Sequence, residues 1–327
     1  MGEILLTLST LVVAITVLLV SGKWVVRSVA VLARAFGISE YVISFVLLAF
    51  ATSLPELSVG VNAALAGVPE LSLGDILGTN IINVTLVMGA VAVVGGSVQL
   101  RDYEHFRQNR LFQLVAVLAP LLLLLDGTLS RLDGFVLLGL FVFVLVRLLD
   151  IDDRILGRKI LRPHLAPHVG HSVSTRYALW WYAVIFVAAS TTLLGATYVI
   201  VTAAKTAAVA LSIPTVLVGV LIVAFATSLP ELSVGIRSVL RGRGGIALGD
   251  IFGAASISAT FSLGVVAIIS PIVLDDLRVV WLGMGASVVV FSLIFLFLHT
   301  KQSLSRGEGW VLIGCFVVFG LSQLLIV

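Results

Sequence analysis

Ala49-Phe50-Ala51-Thr52-Ser53-Leu54-Pro55-Glu56-Leu57-Ser58-Val59-Gly60 occurs twice in this chain. The same twelve residues return as Ala224 to Gly235, 175 positions later. Each copy lies inside a long apolar stretch and sets a proline beside a glutamate. A carboxylate is costly to hold at membrane depth, so an acid there points to a functional site. A mid-span proline frees backbone carbonyls, which survive only against protein or a water-lined cavity. Two interrupted helices at matching positions of two halves are the sequence mark of a transporter's binding site.

The surroundings fit that reading. Of 327 residues, 60% are hydrophobic and 11% charged, against about 25% charged in soluble domains. The composition describes a polytopic membrane protein with no large soluble domain. Cys315 is the single cysteine, so no intrachain disulfide forms. Met1 to Val20 does not read as a cleavable signal, since it has no basic start and carries Glu3.

A span takes about 20 mainly apolar residues. Ten are expected, over 4–22, 37–65, 70–95, 108–125, 132–149, 177–202, 212–240, 245–270, 278–298 and 308–327. Gly, Pro or polar residues interrupt the second, third, seventh and eighth, where half-helices are expected. With the N-terminus outside, 17 of the 20 Lys and Arg fall inside, and Arg131, Lys205 and Arg278 fall outside. The turn after the first copy, 66–70, has no basic residue; the turn after the second, 241–245, carries Arg241 and Arg243. Similar sequences then enter the membrane from opposite sides, an inverted-topology repeat. The expected architecture is all-α: a five-helix repeat over 1–150, a cytoplasmic linker over 151–176, and a second five-helix repeat over 177–327. Both termini are expected outside a prokaryotic plasma (inner) membrane.

The repeat extends without a gap from 45–89 to 220–264, with 22 of 45 positions identical. Thr52 and Thr227 precede their glutamates by four residues, and Ser53 and Ser228 by three, on the same helical face. Pro55 and Pro230 have no N–H for the Ala51 and Ala226 carbonyls. Pairing the copies brings Glu56 and Glu231 into an all-oxygen site of charge near −2, suited to a hard cation. An empty site of that charge favours a divalent cation, two monovalent cations or protons. Asp75, Thr79 and Asn83 share one face of the third span; their counterparts are Asp250, Ala254 and Ser258.

At these residues the chain resembles the cation/calcium exchanger superfamily, in particular its sodium/calcium exchanger branch. The matching elements are Ala-Thr-Ser-Leu-Pro-Glu twice, each followed by Gly-Asp-Ile-(Leu/Phe)-Gly, and in the first copy by Gly78-Thr79-Asn80-Ile81-Ile82-Asn83. The resemblance implies ten helices and a midplane cation site. It implies ligands at Glu56, Thr52, Ser53 and the Ala49 carbonyl, and at Glu231, Thr227, Ser228 and the Ala224 carbonyl. The family's polar positions on the third and eighth spans map to Thr79 and Asn83, and to Ala254 and Ser258. The family commonly has Ser-Asn-x-x-(Asn/Asp) where this chain has Ala254-Ala255-Ser256-Ile257-Ser258, and Asn where Asp75 and Asp250 stand. These departures bear on the number and kind of coupled ions.

Each feature has a plainer reading. The glutamates could be structural at a kink, although no Lys or Arg lies in a span core. Thr52 and Thr227 could bond their own i−4 carbonyls, and Asn83 a neighbouring helix. Asp75 and Asp250 are counted among the candidate cation-site residues, and read either as half-helix ends near an interface or as proton-titrating groups at a cavity mouth. Gly74, Gly78, Gly249 and Gly253 read as helix packing, His164, His168 and His171 as a solvated linker, and Trp180, Trp181, Trp281 and Trp310 as interfacial anchors. The leading function is exchange of Ca²⁺ for Na⁺ by alternating access, with Ca²⁺/H⁺ exchange as the alternative. An intramembrane metal-dependent hydrolase is remote, because no nucleophile–base pair and no HExxH motif are present. The expected partners are Ca²⁺, Na⁺ or H⁺, and the bilayer. No cofactor, enzyme activity, nucleic acid or protein partner is expected.

Overall fold

The structure is a computed structural model. It describes residues 2–35, 48–99, 103–159, 176–242, 244–274, 277–301 and 303–324. The start of the expected second span, the three linker histidines and the last three residues lie outside that set. Among the described residues, six helical stretches are long and apolar enough to cross a membrane: Ser9–Val29, Pro69–Gly95, Leu179–Leu211, Thr215–Leu240, Ala247–Ile269 and Trp281–His299.

The chain order is α1 (Gly2–Ala35), α2 (Leu48–Thr52), α3 (Leu54–Leu65), α4 (Pro69–Ile82), a π-helical turn (Asn83–Val87), α5 (Met88–Gly95), β1 (Ser97–Gln99), α6 (Tyr103–Leu123), β2 (Thr128–Leu129) and α7 (Arg131–Lys159). There follow α8 (Arg176–Leu211), α9 (Thr215–Val218), a π turn (Gly219–Val223), α10 (Ala224–Thr227), α11 (Leu229–Leu240), α12 (Gly244–Ile257), a π turn (Ser258–Ser262), α13 (Leu263–Ile269), β3 (Ile272–Val273), α14 (Arg278–Lys301), β4 (Ser303–Ser305) and α15 (Arg306–Leu324).

The 175-residue offset recurs far beyond the repeated dodecapeptide. Leu54–Leu65 and Leu229–Leu240 match residue for residue, as do Pro69–Ile82 and Gly244–Ile257, and the π turns that follow them. Gly67 and Gly242, in left-handed turns at φ +73° and +69°, end the motif helices at matching positions. The last helix of each half opens on a capping box. The Ser130 hydroxyl serves the Asp133 N–H at 3.3 Å while Asp133 accepts from the Ser130 N–H at 2.8 Å; Ser305 and Glu308 repeat this at 3.4 and 2.8 Å.

The halves are interleaved. Strand β1 pairs with β4, and β2 with β3, both antiparallel, so each half closes the other's short ribbon. Helices α1 and α8 pack along one another, with Val25 against Ala189 and Leu193. Helix α5 meets α15 at Gly89 and Gly309, and α13 meets α7 at Gly264 and Gly134. A Cβ on any of these four would stand 2.7–3.0 Å from the facing glycine's carbonyl oxygen.

Two expectations need correction. Helices α1 and α8 run 34 and 36 residues, about 50 Å each, well past the edges 4–22 and 177–202. Hydropathy falls at Lys23, Arg27 and Arg34, but Lys and Arg are good helix formers, so the helix continues. The third and eighth spans are not split into half-helices. Each runs on through a π turn, in which Thr85 and Thr260 donate to the carbonyls of Ile81 and Ser256 four residues back. The second and seventh are interrupted as expected, each at a single residue, Ser53 (φ −82°, ψ 0°) and Ser228 (φ −77°, ψ −7°), although the i−4 bonds to Ala49 and Ala224 persist at 3.1 Å.

Candidate cation site

The two kinks meet the two polar helix faces at the centre of the molecule. Glu56, Glu231, Asp75 and Asp250 are at most 1% exposed, and Thr52, Ser53, Thr227, Ser228, Thr79, Asn83 and Ser258 are buried with them. Glu56 lies within electrostatic reach of Glu231 and Asp75, and Glu231 within reach of Asp250 and Asp75. The copies therefore converge, and the two aspartates belong to the same buried group.

The hydrogen bonds cross between halves in matched fashion. Thr227 Oγ1 donates to Asp75 Oδ1 at 2.9 Å, and its counterpart Thr52 Oγ1 lies 3.3 Å from Asp250 Oδ1. Thr79 Oγ1 touches Thr227 Oγ1 at 3.0 Å and Asp75 Oδ1 at 3.4 Å. The second half has Ala254 at the matching position, so this hydroxyl has no twin. The Ala224 carbonyl gathers the Ser228 hydroxyl at 2.8 Å, Thr227 at 3.3 Å and Thr79 at 3.5 Å. The Ala49 carbonyl receives Thr52 at 3.2 Å. Thr227 also bonds its own i−4 carbonyl at Val223 at 3.2 Å, Thr52 only an i−3 carbonyl, and each reaches across to an aspartate of the other half.

What stays unpaired is more informative. Both carboxylate oxygens of Glu56 and of Glu231, one of Asp75 and one of Asp250, and both amide atoms of Asn83 have no hydrogen-bond partner in the protein. Buried polar atoms are ordinarily satisfied, and a buried charge without a partner costs several kcal/mol. Six carboxylate oxygens are left open in one region. Among the described residues, however, no three Asp, Glu, His or Cys side chains gather closely enough to hold a metal ion by themselves. Hydroxyl, amide and carbonyl oxygens must complete any coordination shell.

From the sequence, Asp75 and Asp250 are candidate site residues, with their place left open between an interface and a cavity mouth. The structure buries both at the centre, each facing a threonine of the other half. The sequence reading missed Thr85 and Thr260. They are identical in the two copies, and that identity was the available signal. Their hydroxyls serve the π turns that begin at Asn83 and Ser258, and such turns often mark functional sites.

The profile of the family described as "Sodium/calcium exchanger protein" matches residues 6–149 and 181–325, nearly the whole chain in two blocks. The chain belongs to the sodium/calcium exchanger family. It is an integral membrane protein of that family, which consists of exchangers rather than enzymes. It is 32% identical to the inner membrane protein YrbG of Escherichia coli, over 96% of each chain. It is 24% identical to the sodium/calcium exchanger MaX1 of Methanosarcina acetivorans, over 93% of this chain and 94% of that one. Among solved structures, the sodium-calcium exchanger NCX_Mj has the same overall architecture: TM-score 0.65 at 25% identity, covering 96% of this chain and 97% of that one.

Proposed function

We propose that this member of the family exchanges Ca²⁺ for Na⁺ across the membrane by alternating access, with the ions bound among Glu56, Glu231 and their neighbours. The observation that carries the proposal is the pair of fully buried glutamates, whose four oxygens make no hydrogen bond of ordinary length although Thr227 faces Glu56 and Thr52 faces Glu231. Bound cations would neutralise them. Ca²⁺ takes 6–8 oxygens at about 2.3–2.6 Å. The open carboxylate oxygens, Asn83 Oδ1, the hydroxyls of Thr52, Ser53, Thr79, Thr227, Ser228 and Ser258, and the Ala49 and Ala224 carbonyls supply more than one such shell. A site that must stay neutral accepts one Ca²⁺ or a set of Na⁺ in turn, and that equivalence is the basis of antiport.

The proposed frame is ten spans in two inverted five-span halves, 1–150 and 177–327, joined by 151–176, with both termini outside the plasma membrane. The side-specific distribution of Lys and Arg and the constant 175-residue offset support it. Cysteines placed at Val68 and Gly242 in a Cys315→Ser background test it. Membrane-impermeant reagents should label them from opposite sides, and labelling from one side overturns the inversion.

Two features favour Ca²⁺/H⁺ exchange as the second reading. Asp75 and Asp250 add two acids to the centre, and the second half offers Ala254 and Ser258 where the first has Thr79 and Asn83. Fewer oxygens on one side favour fewer or weaker Na⁺ sites. The deciding experiment loads proteoliposomes with Ca²⁺ and imposes a Na⁺ gradient and a pH gradient separately, with the membrane potential clamped. Efflux driven by Na⁺ supports the first reading. Efflux driven by the pH gradient alone overturns it and assigns Asp75 and Asp250 to proton transport.

A further inference from the structure

Away from the cation site, α1 and α8 leave a groove of about 490 Å³ between them, lined by Thr16, Val17, Val20, Trp24, Ile185 and Ala188. Its three hydroxyls use their protons inside their own helices. Thr16 donates to the Val12 carbonyl, Ser21 to Val17 and Thr192 to Ala188, each at 2.8 Å within its own helix. The lining is therefore hydrocarbon-like over residues 16 to 24, about 12 Å of helix. One end of the groove is different. Trp24 is 39% exposed there, and the Arg27 guanidinium lies 5.3 Å from its ring centroid. Lys23, next to Trp24 in the sequence, is also exposed. Trp180 and Trp181, both exposed near the start of α8, put further aromatic residues toward the same end of the antiparallel helix pair.

An apolar slot that ends in a guanidinium, an ammonium and an indole is complementary to one molecule available at that depth. We infer that the α1/α8 groove binds an anionic phospholipid, with an acyl chain along Val17 and Val20 and the phosphate at Arg27 and Lys23. The assignment uses the reading of this end of α1 as a membrane interface, and none of the cation-site residues takes part. A zwitterionic lipid can place a chain in the groove, but its ammonium opposes Lys23 and Arg27. Each basic residue near a lipid surface contributes about 1 kcal/mol toward anionic headgroups, roughly fivefold in partition.

The test uses the full-length protein in vesicles, with brominated acyl chains quenching tryptophan. Dibrominated phosphatidylglycerol or dibrominated phosphatidylcholine is titrated into unbrominated phosphatidylcholine. The Trp24 contribution is the difference between the protein and Trp24→Phe. The expected result is quenching of that component at roughly tenfold or more lower mole fraction of the glycerol lipid. The preference should fall about fivefold in Arg27→Gln or Lys23→Gln, and be retained in Arg27→Lys. Equal quenching by the two lipids reduces the groove to an ordinary boundary-lipid position and overturns the inference. A preference that survives the double change Lys23→Gln, Arg27→Gln overturns the headgroup assignment. Ca²⁺ flux in phosphatidylcholine vesicles, unchanged in both variants, separates this result from a failure of the cation-site reading.

Discussion

Replacing Thr227 with valine keeps the side-chain volume and removes one hydroxyl. The geometry sets what that costs. A threonine has a single proton to donate. For Thr227 the acceptors are Asp75 Oδ1 at 2.9 Å, the Val223 carbonyl at 3.2 Å and the Ala224 carbonyl at 3.3 Å, so the carboxylate holds the proton. For Thr52 the Ala49 carbonyl at 3.2 Å and Asp250 Oδ1 at 3.3 Å compete almost equally. A hydrogen bond to a charged group contributes about 1.5–3 kcal/mol and a neutral one about 0.5–1.5 kcal/mol. Thr227→Val therefore destabilises by about 2 kcal/mol, with Asp75 Oδ1 left only the longer contact to Thr79 at 3.4 Å. Thr52→Val destabilises by about 1 kcal/mol or less. The assay is denaturant unfolding in detergent micelles, in cation-free buffer so that lost ion binding does not enter. A double-mutant cycle with Asp75→Ala, which removes the acceptor, isolates the pair, and a coupling above about 1 kcal/mol is expected for Thr227–Asp75 but not for Thr52–Asp250. Equal losses from the two valines, or no coupling, would refute the argument that this contact ties the halves together.

Glu56→Gln and Glu231→Gln should each abolish Ca²⁺ flux in proteoliposomes while the size-exclusion profile stays unchanged, because Gln matches Glu in volume but not in charge. Wild-type flux from either variant removes that residue from the site. Gly264→Ala drives a Cβ to 3.0 Å from the Gly134 carbonyl oxygen and should cost about 1–3 kcal/mol, whereas Gly139→Ala meets open space and should be neutral or stabilising in the same unfolding assay. Ala254→Ser gives the second half the hydroxyl that Thr79 supplies in the first. Apparent Na⁺ affinity, read from Na⁺-driven Ca²⁺ efflux, should rise about two- to tenfold, the equivalent of one neutral hydrogen bond.

The glutamate pair was legible because twelve identical residues placed an acid and a proline at membrane depth twice, and few structures need that. The register of the helices around it was legible for the same reason, since one offset of 175 carries Pro69–Ile82 onto Gly244–Ile257. The role of the aspartates was not. Asp75 and Thr227 lie 152 positions apart, and only the crossing of α4 over α10 brings them together. The π turns were hidden because the residues around Asn83 and Ser258 suit an ordinary helix equally well. The true length of α1 was hidden because hydropathy reports where lipid ends, not where hydrogen bonding does.

The exchanged strands have a consequence for how the protein is made. Strand β1 begins at Ser97 and its partner at Ser303, 206 residues later (303 − 97). At about 5–20 residues per second of synthesis, the first half waits roughly 10–40 s for that partner. Over most of that interval Glu56 and Asp75 are in the nascent chain before Thr227 and Glu231 exist. The incomplete chain must shelter its acids by taking up protons, by holding ions or water, or with the help of a membrane chaperone. Quality control can act on it most readily then, before translation delivers the segment that closes the centre.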